Sequence, residues 1–129
     1  MTEEFVTLET AKLLKEKGFK EDVFTFYEVD CVEGDMILSE TYDESENFNE
    51  KNDCLSAPTQ SLAQKWLRET KNIHICVYNC ACGYGYEISK ADNGTHITSS
   101  VYEGPNDGGE WDTYEEALEA GILEALKLM

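Results

Sequence analysis

Basic residues are scarce in this chain, which has 10 Lys and Arg against 27 Asp and Glu and a formal net charge of −17. Nucleic-acid backbones and membrane surfaces attract clusters of Lys and Arg, so a field of this sign repels both. The sequence therefore predicts that neither a nucleic acid nor a membrane is a partner.

Long apolar segments are also missing, because no run approaches the roughly 20 residues that span a bilayer. The opening Met1-Thr2-Glu3-Glu4 is acidic, whereas a signal peptide is basic and then apolar. Five cysteines are an odd number, which favours free thiols in a reducing compartment over a disulfide framework. We therefore expect an intracellular, cytoplasmic protein.

Histidine, the commonest catalytic base, occurs only as His74 and His96. Both fall at solvent-facing positions of predicted strands, where antiparallel neighbours bring them near Cys76. A Cys-His pair stays open as a hypothesis, but no residue in the pattern orients it. The segment Gly83-Tyr84-Gly85 lacks the third glycine of a dinucleotide-binding loop. The sequence thus predicts a protein that is not an enzyme and that has no cofactor.

The C-terminal half, from Pro58 to Met129, predicts the order helix, strand, strand, strand, helix. Thr59 is placed to cap the first helix, and Thr113 with Glu116 forms a capping box for the last. A strand is predicted at residues 73–78 from the alternation of apolar and polar residues. A second is predicted at residues 84–90, an aromatic and β-branched run, and the turn residues 92–94 lead into a third at residues 96–102 that pairs back on it. Double-stranded-RNA-binding domains share this order, but here the last helix and its approach are acidic where phosphates would bind.

The apolar residues that recur at helical or strand spacing in these elements predict one shared core. Its expected members are Trp66, Ile75, Val77, Ile88, Ile97, Leu118, Ile122 and Leu126.

The N-terminal third predicts a helix from Leu8 to Lys17, which Thr7 caps and which Gly18 ends in a left-handed conformation. Strands are expected at residues 23–29 and 36–41, and an exposed acidic loop at residues 42–53. Taken together, the pattern predicts a single α+β domain over residues 1–129, with a mainly antiparallel sheet covered on one face by helices.

Two segments hold nearly all of the net charge. Residues 30–54 carry nine acids and one base, a net of −8, and residues 103–124 carry eight acids and no base, again −8. One interpretation is a solvated surface, and the other is an acidic surface that binds a basic protein partner. On the second interpretation we expect the two segments to approach one another. The candidate surface residues are Asp43, Glu44, Glu46, Asp107, Glu110, Asp112, Glu115 and Glu119.

A cluster of potential metal ligands lies around the first predicted hairpin of the C-terminal half. It consists of His74, Cys76, Cys80 and Cys82, which are separated by even numbers of positions and would share one face of a straight strand. Residues two apart on a strand project in parallel, whereas zinc requires four ligands that converge. We therefore predict no bound metal. A module that binds a metal or small ligand at the Cys76–Cys82 hairpin is the alternative function.

Four stretches of the chain, residues 8–19, 57–69, 104–109 and 114–120, resemble a group of small proteins encoded by phages and prophages of gut bacteria. The resemblance implies a compact intracellular α+β protein of mobile-element origin. It implies no activity and supplies no functional residues. The function expected from the sequence is therefore that of a non-enzymatic interaction protein with an acidic partner-binding surface.

Overall fold

A computed structural model describes residues 4–29, 34–100 and 102–129 of the protein. The helices are α1 (Leu8–Glu16), α2 (Gln60–Thr70) and α3 (Tyr114–Lys127). The strands are β1 (Thr25–Val29), β2 (Met36–Glu40), β3 (Cys54–Ser56), β4 (Ile73–Cys80), β5 (Gly83–Lys90) and β6 (His96–Ser99). Within these ranges, no helix is long and apolar enough to cross a membrane.

The strands are divided between two antiparallel sheets of three strands each, with the orders β2-β1-β3 and β4-β5-β6. The predicted α+β class is confirmed, as is the C-terminal order of helix, three strands and helix. Strand β3 was not anticipated, because three residues are too few to show an alternating pattern. It pairs with β1 and so completes the first sheet.

Each helix begins at a threonine whose hydroxyl accepts a hydrogen bond from a first-turn amide, namely Thr7, Thr59 and Thr113. Thr113 Oγ1 also donates to Glu116 Oε1 over 2.9 Å, next to the backbone bond from Glu116 N to Thr113 Oγ1. At the end of α1, Gly18 has φ +92° and the amide of Phe19 donates to the carbonyl of Leu14. These termini are as the sequence predicts.

Helices α2 and α3 cover one face of the second sheet, and α1 packs between α3 and β3. Most of the predicted core is confirmed, including Trp66 and Ile75, whereas Val77 is half-buried. The prediction for Ile97 was wrong, because its side chain is 39% exposed. Ile88 faces the core and pairs with Thr98, so Thr98 takes the inward position and its neighbour Ile97 faces away from the core, at a bulge between this pair and the Ser89–His96 pair.

The acidic loop is more structured than predicted, because Phe48 is buried and stacks on Phe26 with ring centroids 4.1 Å apart. A 3₁₀ turn spans Phe48–Glu50, and the Asn49 side chain donates to the carbonyl of Phe19 and accepts from the amide of Ser56. One aromatic residue in an otherwise polar stretch therefore anchors this loop to the core.

Strand β6 ends at Ser99 instead of at Tyr102. Beyond Ser100, the place beside β5 is taken by Trp111, which exchanges two backbone hydrogen bonds with Tyr84 at 2.8 and 2.9 Å. The loop before α3 therefore completes the edge of the second sheet and brings Trp111 towards the start of α3.

Candidate functional site

One carboxylate, that of Glu119, joins all three helices. Its Oε2 accepts hydrogen bonds from the backbone amide and hydroxyl of Thr7, both 3.0 Å away, and from the hydroxyl of Thr10. Its Oε1 accepts from Gln60 Nε2 over 3.1 Å. Glu119 lies in the middle of α3, so these bonds fix the start of α1 and the start of α2 against that helix.

A groove of about 550 Å³ opens beside this carboxylate. It is built from three parts of the chain: the segment that leads into α1, the start of α2, and the stretch from Trp111 into α3. Its lining residues are Glu4, Phe5, Thr7, Glu9, Gln60, Trp111, Thr113, Glu115, Glu116, Glu119, Ala120 and Leu123.

The walls of this groove are negatively charged, because its described lining includes five glutamates and no Lys or Arg. The field of Glu119 reaches the adjacent Tyr27, whose hydroxyl donates to the carbonyl of Val6 over 2.8 Å. Burial, and secondly the charge of Glu119, raise the pKa of Tyr27. The arrangement can therefore attract a cation, and it repels anionic ligands such as phosphates.

The structure brings together two of the predicted surface residues in this groove, Glu115 and Glu119. Asp107 and Asp112 are exposed in the loop before α3, where Asp112 accepts from Asn106 Nδ2 over 2.8 Å. Glu110 does not belong to an exposed surface, because it is only 8% exposed. Its buried Oε2 has no hydrogen-bond partner among the residues that the structure describes.

The other predicted surface residues lie in the first acidic segment. Asp43, Glu44 and Glu46 are exposed. Glu46 makes an ion pair with Lys51 at 3.0 Å, and this contact raises the pKa of Lys51. The backbone of Glu46 exchanges two 3.0 Å hydrogen bonds with Val23.

Across the described ranges, no hydrogen bond or ion pair joins the two acidic segments. The first contacts the end of α1, where Lys15 donates to the carbonyls of Lys51 and Cys54. The groove lies at the other end of the same helix, which is about 13 Å long at 1.5 Å per residue. The expectation that the two segments share one side of the molecule stays a prediction.

Sequence reasoning missed Glu4, Glu9 and Glu116 as members of this site. Glu4 and Glu9 lie more than a hundred residues before α3 in the chain, and no local pattern predicts that α1 packs on α3. The available signal was the absence of any base between residues 103 and 124, which marked α3 as one wall of an acidic surface.

The cysteine cluster has a different geometry from a metal centre. Cys76, Cys80 and Cys82 are free and exposed on or beside the β4–β5 hairpin. His96 Nδ1 lies 3.3 Å from Glu87 Oε1, so this imidazole is paired with a carboxylate. Among the residues that the structure describes, no group of three or more His, Cys, Asp or Glu is placed to hold a metal ion. Cys31 lies outside the described residues.

No family model matches the chain, and no curated protein or solved structure matches it either. The function is therefore inferred from the geometry and charge of the chain itself.

Proposed function

We propose that the chain is a non-enzymatic interaction protein, of phage or other mobile-element origin, that binds a basic protein partner through its acidic surface. The observation that carries this proposal is the groove beside Glu119, whose described lining contains five glutamates and no base. Like charges that line one groove repel one another, and a basic partner relieves that repulsion.

The rest of the charge distribution supports the same function. Residues 103–124 contain eight acids and no Lys or Arg, so no nearby base of that segment neutralises the α3 wall. Four of the lining glutamates, Glu4, Glu9, Glu115 and Glu116, are exposed. Exposed charges of one sign steer an oppositely charged partner and accelerate its association.

The alternative function, a metal or small-ligand module at the Cys76–Cys82 hairpin, has no comparable observation in its favour. The three thiols are exposed and the described residues contain no metal-ligand group around them. We therefore put forward the acidic surface alone.

The test begins with affinity capture from a lysate of the source organism, followed by affinity measurement with each purified candidate partner. We expect a basic partner whose dissociation constant rises steeply with NaCl, because exposed charges are screened beyond about 8 Å at physiological ionic strength. Partners that are acidic, or whose affinity does not change with salt, would contradict the proposal. Turnover of a partner or of a small molecule would contradict its non-enzymatic part.

A further inference from the structure

The groove beside Glu119 combines two surfaces of different chemistry. Its exposed rim is acidic, formed by Glu4, Glu9, Glu115 and Glu116. Its apolar residues are half-buried, so each still presents part of its surface to the groove. We call these four residues the floor of the groove, and they are Phe5, Trp111, Ala120 and Leu123.

The acidic rim alone is a weak basis for binding. Exposed ion pairs contribute little affinity each, because water and salt screen them and both side chains lose freedom. Removing apolar area from water adds affinity that salt does not screen, and a Trp face also attracts a cation. Tight binding therefore requires one ligand that places apolar groups on the floor and, at the same time, cations beside the rim.

Hydrogen bonds also join the segments of the chain that form the walls of the groove. Gln60 Nε2 donates to the carbonyl of Glu115 over 2.9 Å as well as to Glu119, and the amide of Gln60 donates to the carbonyl of Glu4 over 2.9 Å. The amide of Val6 donates to the carbonyl of Pro58 over 3.1 Å. Walls tied in this way lose little conformational freedom on binding.

We propose that this groove takes a basic, amphipathic peptide segment of the partner protein, in which Lys or Arg side chains alternate with apolar ones. The inference rests on the proposed function and names the chemistry of its partner. Charge complementarity selects the cations, and the apolar floor selects a peptide over free cations, which have no apolar side chains to place there. A volume of about 550 Å³ falls within the range of pockets that hold small ligands, so part of a peptide segment fits.

The test uses three synthetic peptides of equal length, in which Lys alternates with Leu, Lys with Ser, or Glu with Leu. Binding to the full chain is measured by calorimetry and by Trp fluorescence. Trp111 lines the groove and Trp66 is buried in the core, so Trp111→Phe identifies the source of the signal. We expect the Lys–Leu peptide to bind at least about tenfold more tightly than either other peptide, which corresponds to about 1.4 kcal/mol.

Two triple variants with the same change in net charge separate the groove from the general field. Glu9→Gln, Glu115→Gln and Glu116→Gln neutralise three of the four rim glutamates, whereas Asp43→Asn, Glu44→Gln and Glu50→Gln neutralise exposed acids of the first segment. We expect the first set to weaken the Lys–Leu peptide about tenfold and the second to change its affinity less than about twofold. All six positions are exposed, and circular dichroism confirms that both variants fold.

Leu123→Gln tests the apolar floor, and we expect it to weaken the Lys–Leu peptide and to leave the Lys–Ser peptide unchanged. Equal losses in the two triple variants would overturn the groove inference and leave the proposed acidic surface standing. Equal binding of the two Lys peptides, or complete competition by a polyamine, would overturn it as well. If sedimentation shows that the rim variant dissociates a dimer, the occupant is a second copy of the chain, and the inference is also wrong.

Discussion

Glu119 has a structural role in addition to its place in the proposed binding groove. Its carboxylate accepts four hydrogen bonds from Thr7, Thr10 and Gln60, so it is a structural link between helices. A hydrogen bond to a charged acceptor contributes about 1.5 to 3 kcal/mol, and removing the carboxylate would leave several donors unpaired. The neighbouring rim glutamates are therefore the better positions for testing binding separately from folding.

At Trp66 the expected effect of substitution is on stability alone. The indole is 5% exposed and meets Phe19 edge to face, with ring centroids 5.4 Å apart. Trp66→Ala leaves a large cavity in the core and should lower the free energy of unfolding by about 3 to 5 kcal/mol. Urea denaturation measures this change. A loss below about 1 kcal/mol would mean that the indole is not part of the core.

Tyr86 makes stability sensitive to alkaline pH. Its side chain is fully buried and its hydroxyl donates to Glu103 Oε2, and these two effects raise its pKa above the ordinary value of 10.0. The stabilisation is complete below pH 10, where the unfolded tyrosine is also neutral, and it is lost as the pH rises towards the folded-state pKa. The free energy of unfolding should therefore fall by up to about 1.4 kcal/mol per pH unit above about pH 10.

Tyr86→Phe checks this assignment by urea denaturation between about pH 9 and pH 11. The variant should be less stable at neutral pH, by about 1 kcal/mol for the lost hydrogen bond, and its stability should decline less above pH 10. Tyr42, which is 93% exposed, supplies the matched control Tyr42→Phe. An unchanged alkaline decline in Tyr86→Phe would assign the effect to another group.

The cysteines should divide by reactivity in a Cys31→Ser background. Cys76, Cys80 and Cys82 are exposed, whereas Cys54 is buried, and burial and the charge of Asp53 raise the pKa of its thiol. A thiol reagent at neutral pH should modify three groups quickly and one slowly, because the thiolate is the reactive form. Elemental analysis of the same sample should find no metal. Stoichiometric zinc with unreactive thiols would restore the metal-binding alternative.

At the scale of elements, the sequence predicts the features that depend on neighbouring residues, such as helix starts and ends. Thr7 and Thr113 mark helix starts and Gly18 marks a helix end, because capping depends on residues a few positions apart. Strand β3 and the anchoring of the loop by Phe48 were missed, since both depend on β1, more than twenty residues away. The division into two sheets depends on non-local pairing in the same way.

In the groove, too, the local features were predictable from the sequence and the non-local ones were not. The acidity of α3 was visible in the sequence, and Glu115 and Glu119 were predicted as surface residues. The opposite wall, with Glu4 and Glu9, requires α1 to pack on α3, and that contact joins positions 112 residues apart, as in the bond from Thr7 to Glu119. Glu110 was misplaced because charge alone cannot tell an exposed acid from a buried one.

Gly121 controls how closely α3 approaches the second sheet. A Cβ at this position would lie 2.9 Å from Ile75 Cγ2 and 3.1 Å from Tyr86 Cγ, closer than normal contacts. Alanine gains about 1 kcal/mol of helix propensity, but overpacking a core typically costs about 1 to 3 kcal/mol. Gly121→Ala should therefore lower the free energy of unfolding by up to about 2 kcal/mol in urea denaturation. A more stable variant would show that the sheet yields and that helix propensity prevails.

At the scale of the whole molecule, the net charge of −17 opposes folding. Folding brings these charges closer together than they are in the unfolded chain, so their mutual repulsion destabilises the compact state. The groove is one place where this happens, since Glu9 joins Glu115 and Glu116 only after α1 packs on α3. This repulsion is created by folding and is not relieved by any base in the described lining of the groove, which supports the proposed binding surface.

Stability should therefore rise with salt at low ionic strength. The Debye length falls from about 30 Å at 0.01 M to about 8 Å at 0.15 M, so NaCl screens the repulsion between neighbouring glutamates. We expect the free energy of unfolding in urea to increase across this range, and to increase less in the variant with Glu9→Gln, Glu115→Gln and Glu116→Gln. Urea is suitable because it is uncharged, whereas guanidinium would screen the same charges.

If the rim variant is more stable than the wild type at low salt and yet binds the Lys–Leu peptide less tightly, the rim glutamates reduce stability and serve binding. Stability that is indifferent to salt in both proteins would mean that the charges are too well solvated to repel, and the groove would lose the electrostatic argument for a basic partner.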